Sequence, residues 1–243
     1  MTDRMRNILW QYAWALFYRR KVEWSPPGLM TDHGMDLTTL IDAMRYQIET
    51  AEKFGTIRLV ILGDSNAEVW RQALILKQFR SITVCLGKGG STPQQWAVLC
   101  RAPGFLTLLA ALPPECMVLW NCGGNSGWSQ KAFDAGGGVQ KAYAAMHAVT
   151  PGSQMVLVPP IWDNIIDPGG ISGVKDRMHE INALALQEWG KDAHDPAKLI
   201  DWNGDGVPEL ISLADPIHYS RFSLRLMVPI IKVLVHGKQV RWP

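Results

Sequence analysis

The stretch Ile57-Arg58-Leu59-Val60-Ile61-Leu62-Gly63-Asp64-Ser65-Asn66 decides how this chain folds. Its apolar residues run on without the polar alternation of a half-exposed strand. A continuous run of β-formers bounded by glycine reads as a strand buried on both faces, over 57–62. Gly63 breaks the run, and a helical pattern follows over 67–79. Strand, tight turn and helix form the unit from which parallel sheets are built.

Outward from this unit the same succession recurs. Strands are expected at 82–86, 117–121, 155–158 and 198–201. Helices are expected from 93 with a break at Pro103-Gly104, then at 131–149, 174–189 and 220–235. The predicted architecture is α/β, a three-layer α/β/α domain around a parallel, flavodoxin-like five-stranded sheet. Upstream, Asp36 reads as an N-cap for a helix carrying Leu37, Leu40, Ile41, Met44 and Ile48, ending near Gly55. Before it, Leu9, Trp10, Ala13, Trp14, Leu16 and Phe17 form an apolar stripe at helical spacing. The expected division is an N-terminal helical extension over 1–55 and one main domain over 56–243.

Composition narrows the function classes. The chain has 243 residues, 47% of them hydrophobic and 19% charged, so it can bury a core and is not a disordered segment. Net charge is +2, and the densest basic cluster is only Arg19-Arg20-Lys21. No nucleic-acid partner is implied. No apolar run is long enough to span a membrane. Gln11 interrupts the first apolar stretch and no small-residue cleavage site follows it, so a signal peptide is not read there. The expected location is cytoplasmic, or release without a signal peptide, virion association included. The N-terminal helix is a contact candidate for a partner or a second subunit. Cys85, Cys100, Cys116 and Cys122 show no CxxC spacing, which argues against zinc. The strand expected between Cys116 and Cys122 would hold them too far apart to bridge, so reduced thiols are expected.

In a parallel sheet the working residues gather at the carboxyl ends of the strands. Ser65, Gly90 and Asn125 all fall there. Ser65 stands where a helix presents its N-terminal N–H groups, which favour developing negative charge. By itself it is equally an ordinary N-cap. The Gly87-Lys88-Gly89-Gly90-Ser91-Thr92 loop lacks the P-loop pattern but can offer a backbone N–H. Gly123-Gly124-Asn125 turns tightly and presents an amide, a neutral donor suited to an oxyanion; Gly-Asn is also a frequent turn pair. Near the C-terminus, Asp215-Pro216-Ile217-His218 spaces a carboxylate three residues before an imidazole. Such a pair can serve a distant serine as an oriented base.

These blocks together resemble the SGNH (GDSL-type) hydrolase superfamily, over about residues 57–235. Gly63-Asp64-Ser65 is similar to its first block, and Val84 through Gly90 to its second. Gly123-Gly124-Asn125 is similar to its third, with Ser126 where the family has Asp. Asp215 and His218 are similar to its DxxH block, with Tyr219 where the family usually has Pro. The resemblance implies an SGNH hydrolase fold and a serine esterase. Ser65 would be the nucleophile, His218 the general base and acid, and Asp215 its orienting carboxylate. Ser65 and Gly90 backbone N–H groups and the Asn125 amide would form the oxyanion hole. A small acyl ester is the expected substrate, an O-acetyl group on a carbohydrate foremost. Lipid or thioester acyl hydrolysis, and a non-catalytic carbohydrate-binding or virion-associated module on the same scaffold, remain alternatives. Trp128 and Trp162 are candidates to line the substrate cleft.

The triad requires no cofactor. The only one the sequence leaves open is a structural calcium. In Asp201-Trp202-Asn203-Gly204-Asp205-Gly206-Val207-Pro208-Glu209, the residues Asp201, Asn203, Asp205 and Glu209 space oxygen ligands around a glycine. Ser212 stands where an EF-hand needs its bidentate Glu, so an ordinary polar loop is the competing reading.

Overall fold

A computed structural model of the chain describes residues 37–53, 56–72, 83–158, 173–196, 213–215, 218–219, 223–224 and 226–227. Helix α1 (Leu37–Glu52) precedes strand β1 (Leu59–Gly63) and helix α2 (Ser65–Gln72). Strand β2 (Thr83–Gly87) leads to α3 (Pro93–Leu99) and α4 (Pro103–Ala110), both opened by proline. Strand β3 (Met117–Asn121) runs into a 3₁₀ turn, Gly124–Trp128, and then into α5 (Gln130–Asp134). Helix α6 (Gly138–Val149), strand β4 (Gln154–Val156) and helix α7 (Val174–Trp189) follow. Strand β5 (Ala193–His194) completes a parallel sheet of order β2-β1-β3-β4-β5. Two short antiparallel strands, β6 (Leu213–Asp215) and β7 (His218–Tyr219), stand apart from it.

Successive strand residues point to opposite faces, and the core divides accordingly. Val60, Leu62, Val84, Leu86, Trp120 and Met155 face one side. There they meet α1 through Met44 and Ile48, α3 through Trp96, α6 through Tyr143 and α7 through Ile181. Leu59, Ile61, Cys85, Leu119 and Val156 face the other, with Ala67 and Trp70 of α2, Tyr219, Leu224 and Met227. Both faces are covered, which is why the strands read as unbroken apolar runs. Each fully buried aliphatic or aromatic side chain contributes about 1.5–3 kcal/mol by leaving water. Four buried tryptophans also satisfy their indole N–H. Trp70 donates to Asn121 Oδ1, Trp96 to Ser91 Oγ, Trp120 to Thr150 Oγ1 and Trp189 to Ser153 Oγ, all within 3.1 Å.

Three details depart from expectation. The fifth strand lies at Ala193–His194. The 198–201 stretch expected to form it falls outside the described residues, as does the Asp36 cap. The helix expected over 131–149 is two helices, because glycines 136–138 interrupt it. The fourth strand is Gln154–Val156 rather than the expected 155–158. All four cysteines are free.

Candidate active site

The carboxyl ends of β1 and β3 approach each other closely, and glycine makes this possible. At Gly63 (φ +149°) a Cβ would lie 2.0 Å from the carbonyl oxygen of Asn121. At Gly123 (φ +141°) it would lie 2.5 Å from the Tyr143 hydroxyl. Neither position accepts a side chain in place. The Asp64 N–H donates to the Asn121 carbonyl (3.2 Å), closing the junction.

Asp64 is the organiser of this junction. It is buried, and its carboxylate accepts from two backbone N–H groups: Asn66 onto Oδ1 (2.9 Å) and Gly123 onto Oδ2 (3.0 Å). One side chain thus ties the start of α2 to the turn that carries Asn125. Burial pushes the Asp64 carboxyl from 3.8 up to about 6. The two N–H donors, the His218 charge and the Gly124 N–H offset that rise only in part.

Ser65 opens α2, and the Glu68 N–H bonds back to the Asp64 carbonyl (3.1 Å) as the first helical bond. His218 Nε2 stands 2.7 Å from Ser65 Oγ, joining residues 153 positions apart. This is hydrogen-bond distance, the geometry that a serine nucleophile and an imidazole base would need. Asp215 sits opposite His218 in the β6–β7 ladder, so their backbones are adjacent.

Asn125 Nδ2 donates to the Ser91 carbonyl (2.9 Å). A carboxamide carries two N–H bonds, so a second remains for the cleft. Gly90 lies one residue before Ser91, in a turn closed by Ser91 N–H on the Lys88 carbonyl (3.1 Å). Asn125 therefore ties the β2 turn to the β3 turn. A cleft of about 260 Å³, its solvent side included, opens at these strand ends. Its lining is polar at Asp64, Ser65, Asn66 and Asn125 and apolar at Trp128, Val158 and Met178.

The two departures from the GDSL-type pattern have structural partners. Ser126 is fully buried and donates to Gln94 Oε1 (2.9 Å); Gln94 Nε2 donates in turn to the Ala132 and Phe133 carbonyls. It braces the 3₁₀ turn against α3 and α5. Tyr219 donates its backbone N–H to Asn66 Oδ1 (3.3 Å) and its hydroxyl to the Leu157 carbonyl (2.7 Å). A proline there would have no N–H to give. The strand bearing His218 is thereby pinned to helix α2 and to the end of β4.

Of the residues singled out from sequence, the structure brings together Ser65, His218, Asn125 and Trp128. Gly90 lies on the adjoining turn and is not part of the cleft lining. Trp162 and the loop with Asp201, Asn203, Asp205 and Glu209 lie outside the described residues. Among the described residues no group of His, Cys, Asp and Glu could hold a metal ion, and no helix is long and apolar enough to cross a membrane. Sequence reasoning missed Asp64 as organiser, Asn66 and Tyr219 as anchors, and Met178 and Val158 as lining. Asp64 stood inside a quoted motif. The apolar pair gave no signal beyond a helix pattern and a strand end.

No family model matches the chain, and no curated protein matches it in sequence. Solved structures do match it. A GDSL-like lipase from Bacteroides thetaiotaomicron superposes with a TM-score of 0.56 at 15% identity, over 82% of this chain and 98% of its own. A lipase/acylhydrolase from Enterococcus faecalis gives 0.53 at 14% identity, over 77% and 100%. A catalytic mutant of an acetylxylan esterase from Geobacillus stearothermophilus gives 0.51 at 14% identity, over 76% and 96%. Likeness at such identities speaks for the fold. The chain therefore has the three-layer α/β/α fold of the GDSL-type (SGNH) hydrolases.

Proposed function

We propose that the protein is a serine ester hydrolase acting on small acyl esters, an O-acetyl group on a carbohydrate foremost. The observation that carries this reading is the 2.7 Å approach of His218 Nε2 to Ser65 Oγ at the amino end of a helix. His218 takes the hydroxyl proton as Ser65 Oγ forms a bond to the ester carbonyl carbon. The carbonyl oxygen becomes an oxyanion, met by the Asn125 amide and the backbone N–H of Ser65, with the Gly90 N–H assigned to reach it from the adjoining turn. The protonated imidazole then gives its proton to the departing alcohol as the ester C–O bond breaks. Water, deprotonated by His218, attacks the acyl-serine, and the carboxylic acid leaves with Ser65 restored. Asp215 is assigned to the third place of the triad, where its carboxylate would hold the imidazole tautomer and support the imidazolium. Its register opposite His218 supports that assignment.

The acetyl preference draws support from the narrow cleft and from the acetylxylan esterase of the same fold. The reaction as written needs no cofactor. An activity screen with acetyl, butyryl and octanoyl chromogenic esters and acetylated sugars tests it. A fluorophosphonate should label wild type at Ser65 alone, and Ser65→Ala should lose both labelling and hydrolysis while melting normally. Labelling elsewhere, or a fully active Ser65→Ala protein, overturns the assignment.

A further inference from the structure

We propose that Met178 is the end wall of the acyl pocket and confines the enzyme to acetyl-sized acyl groups, an inference that rests on the ester-hydrolase reading above. The lining of the cleft beside Ser65 includes polar Asp64, Asn66 and Asn125 and apolar Trp128, Val158 and Met178. An acyl chain, being apolar, belongs against the second set. The enclosed part of the cleft has room for about one water-sized group, the scale of a methyl.

Met178 is the longest and most flexible of the three lining side chains, so whether it can retreat decides the pocket's depth. Its surroundings say that it cannot. It is 2% exposed, on the second turn of α7. A Cβ built on Gly127 would lie 2.7 Å from Met178 Sδ and 2.9 Å from Cε. The thioether already rests on the bare backbone of the turn that carries Asn125. Cε also lies 3.8 Å from a Cβ built on Gly124, the residue beside Asn125. The neighbouring Arg177 fixes the same contact from outside: its Nε donates to the Gly127 carbonyl (2.7 Å) in a buried bond. Helix and turn are clamped together with the sulfur between them. A methylene added to the acetyl group would have to displace Sδ and Cε into packed backbone.

The test compares acetyl, propionyl, butyryl and octanoyl esters of one chromogenic alcohol, with labelling of Ser65 by a fluorophosphonate as an independent readout. Wild type should lose kcat/KM steeply beyond the acetyl ester, by about tenfold or more per added methylene at the first step. Met178→Ala, which removes Cγ, Sδ and Cε, should shift the butyryl-to-acetyl ratio by about tenfold or more toward butyryl. Met178→Val is the milder truncation, should the alanine variant fail to fold, and should shift the ratio in the same direction. A wild type that prefers octanoyl, or a folded truncation whose ratio stays within about twofold of wild type, overturns the proposal. If Ser65 labels normally in that case, the ester-hydrolase reading stands and only the end wall falls. If wild-type Ser65 neither labels nor turns over any ester, the reading falls and the pocket assignment falls with it.

Discussion

Replacing Asp64 by asparagine removes a buried charge while keeping the shape of the side chain. The carboxyl titrates at about 6 in the fold against 3.8 when unfolded, because burial disfavours its charged form. The sign follows directly. Stability from this group is fully present below 3.8, where it is neutral in both states, and is lost as pH rises through 6. A gap of about two pKa units corresponds to about 3 kcal/mol of ionisation cost at pH 8. Roughly half of it, about 1.4 kcal/mol, develops between pH 5 and pH 8. The carboxamide of the Asp64→Asn variant cannot ionise, so the variant escapes this cost. It also loses one of the two acceptors that serve the Asn66 and Gly123 N–H groups, a penalty of about 1–3 kcal/mol that does not vary with pH. The expected result is a stability deficit, wild type minus variant, that falls by about 1.4 kcal/mol from pH 5 to pH 8, whatever its sign at pH 5. Urea unfolding followed by tryptophan fluorescence at pH 5, 6, 7 and 8 measures the difference, and groups common to both proteins cancel. A deficit that stays constant across this range would refute the reasoning, since Asp64 would not be ionising there. A deficit that grows with pH would show that the site favours the carboxylate.

Two further outcomes are expected. Asn125→Ala should lower kcat by about 10²-fold with a smaller change in KM, since its amide acts mainly on the oxyanion; a rise in KM alone would make Asn125 a ground-state contact instead. Tyr219→Phe leaves the buried Leu157 carbonyl without its hydroxyl partner, which costs about 1–3 kcal/mol and lowers Tm by roughly 2–4 °C for each kcal/mol. It should also slow fluorophosphonate labelling of Ser65 with KM held. An unchanged labelling rate would limit Tyr219 to a role in stability.

Much of the fold was legible because its strands are buried on both faces. The Leu59–Gly63 strand is buried throughout, and so are Val84–Leu86 and Leu119–Asn121 in its two neighbours. The fifth strand escaped for the opposite reason. Ala193–His194 is two residues long, and its histidine bonds to Gln154 rather than joining an apolar cluster. A span so short has no periodicity to read. The residues proposed to react stood out because chemistry restricts side-chain type: a serine at a strand-to-helix turn and an Asp-x-x-His pair have few substitutes. Met178 was not, because a methionine lining a cleft and one filling a core obey the same hydrophobic pattern. Ser126 and Tyr219 appeared in sequence only as departures from a pattern. Their partners, Gln94 and Leu157, lie 32 and 62 residues away, and no local rule connects them.

The hydrogen bond between Ser65 and His218 spans 153 positions of the chain. Closing such a contact carries an entropic cost, which the ordered strands and helices between its ends reduce. Until the segment with His218 docks, Ser65 is an ordinary alcohol, inert toward esters and active-site titrants alike. On the proposed function, Ser65 is thus armed by the docking of a distant segment rather than by its own local structure. Stoichiometric titration of Ser65 consequently counts completed molecules in a preparation, and partially folded chains stay silent however much secondary structure they hold.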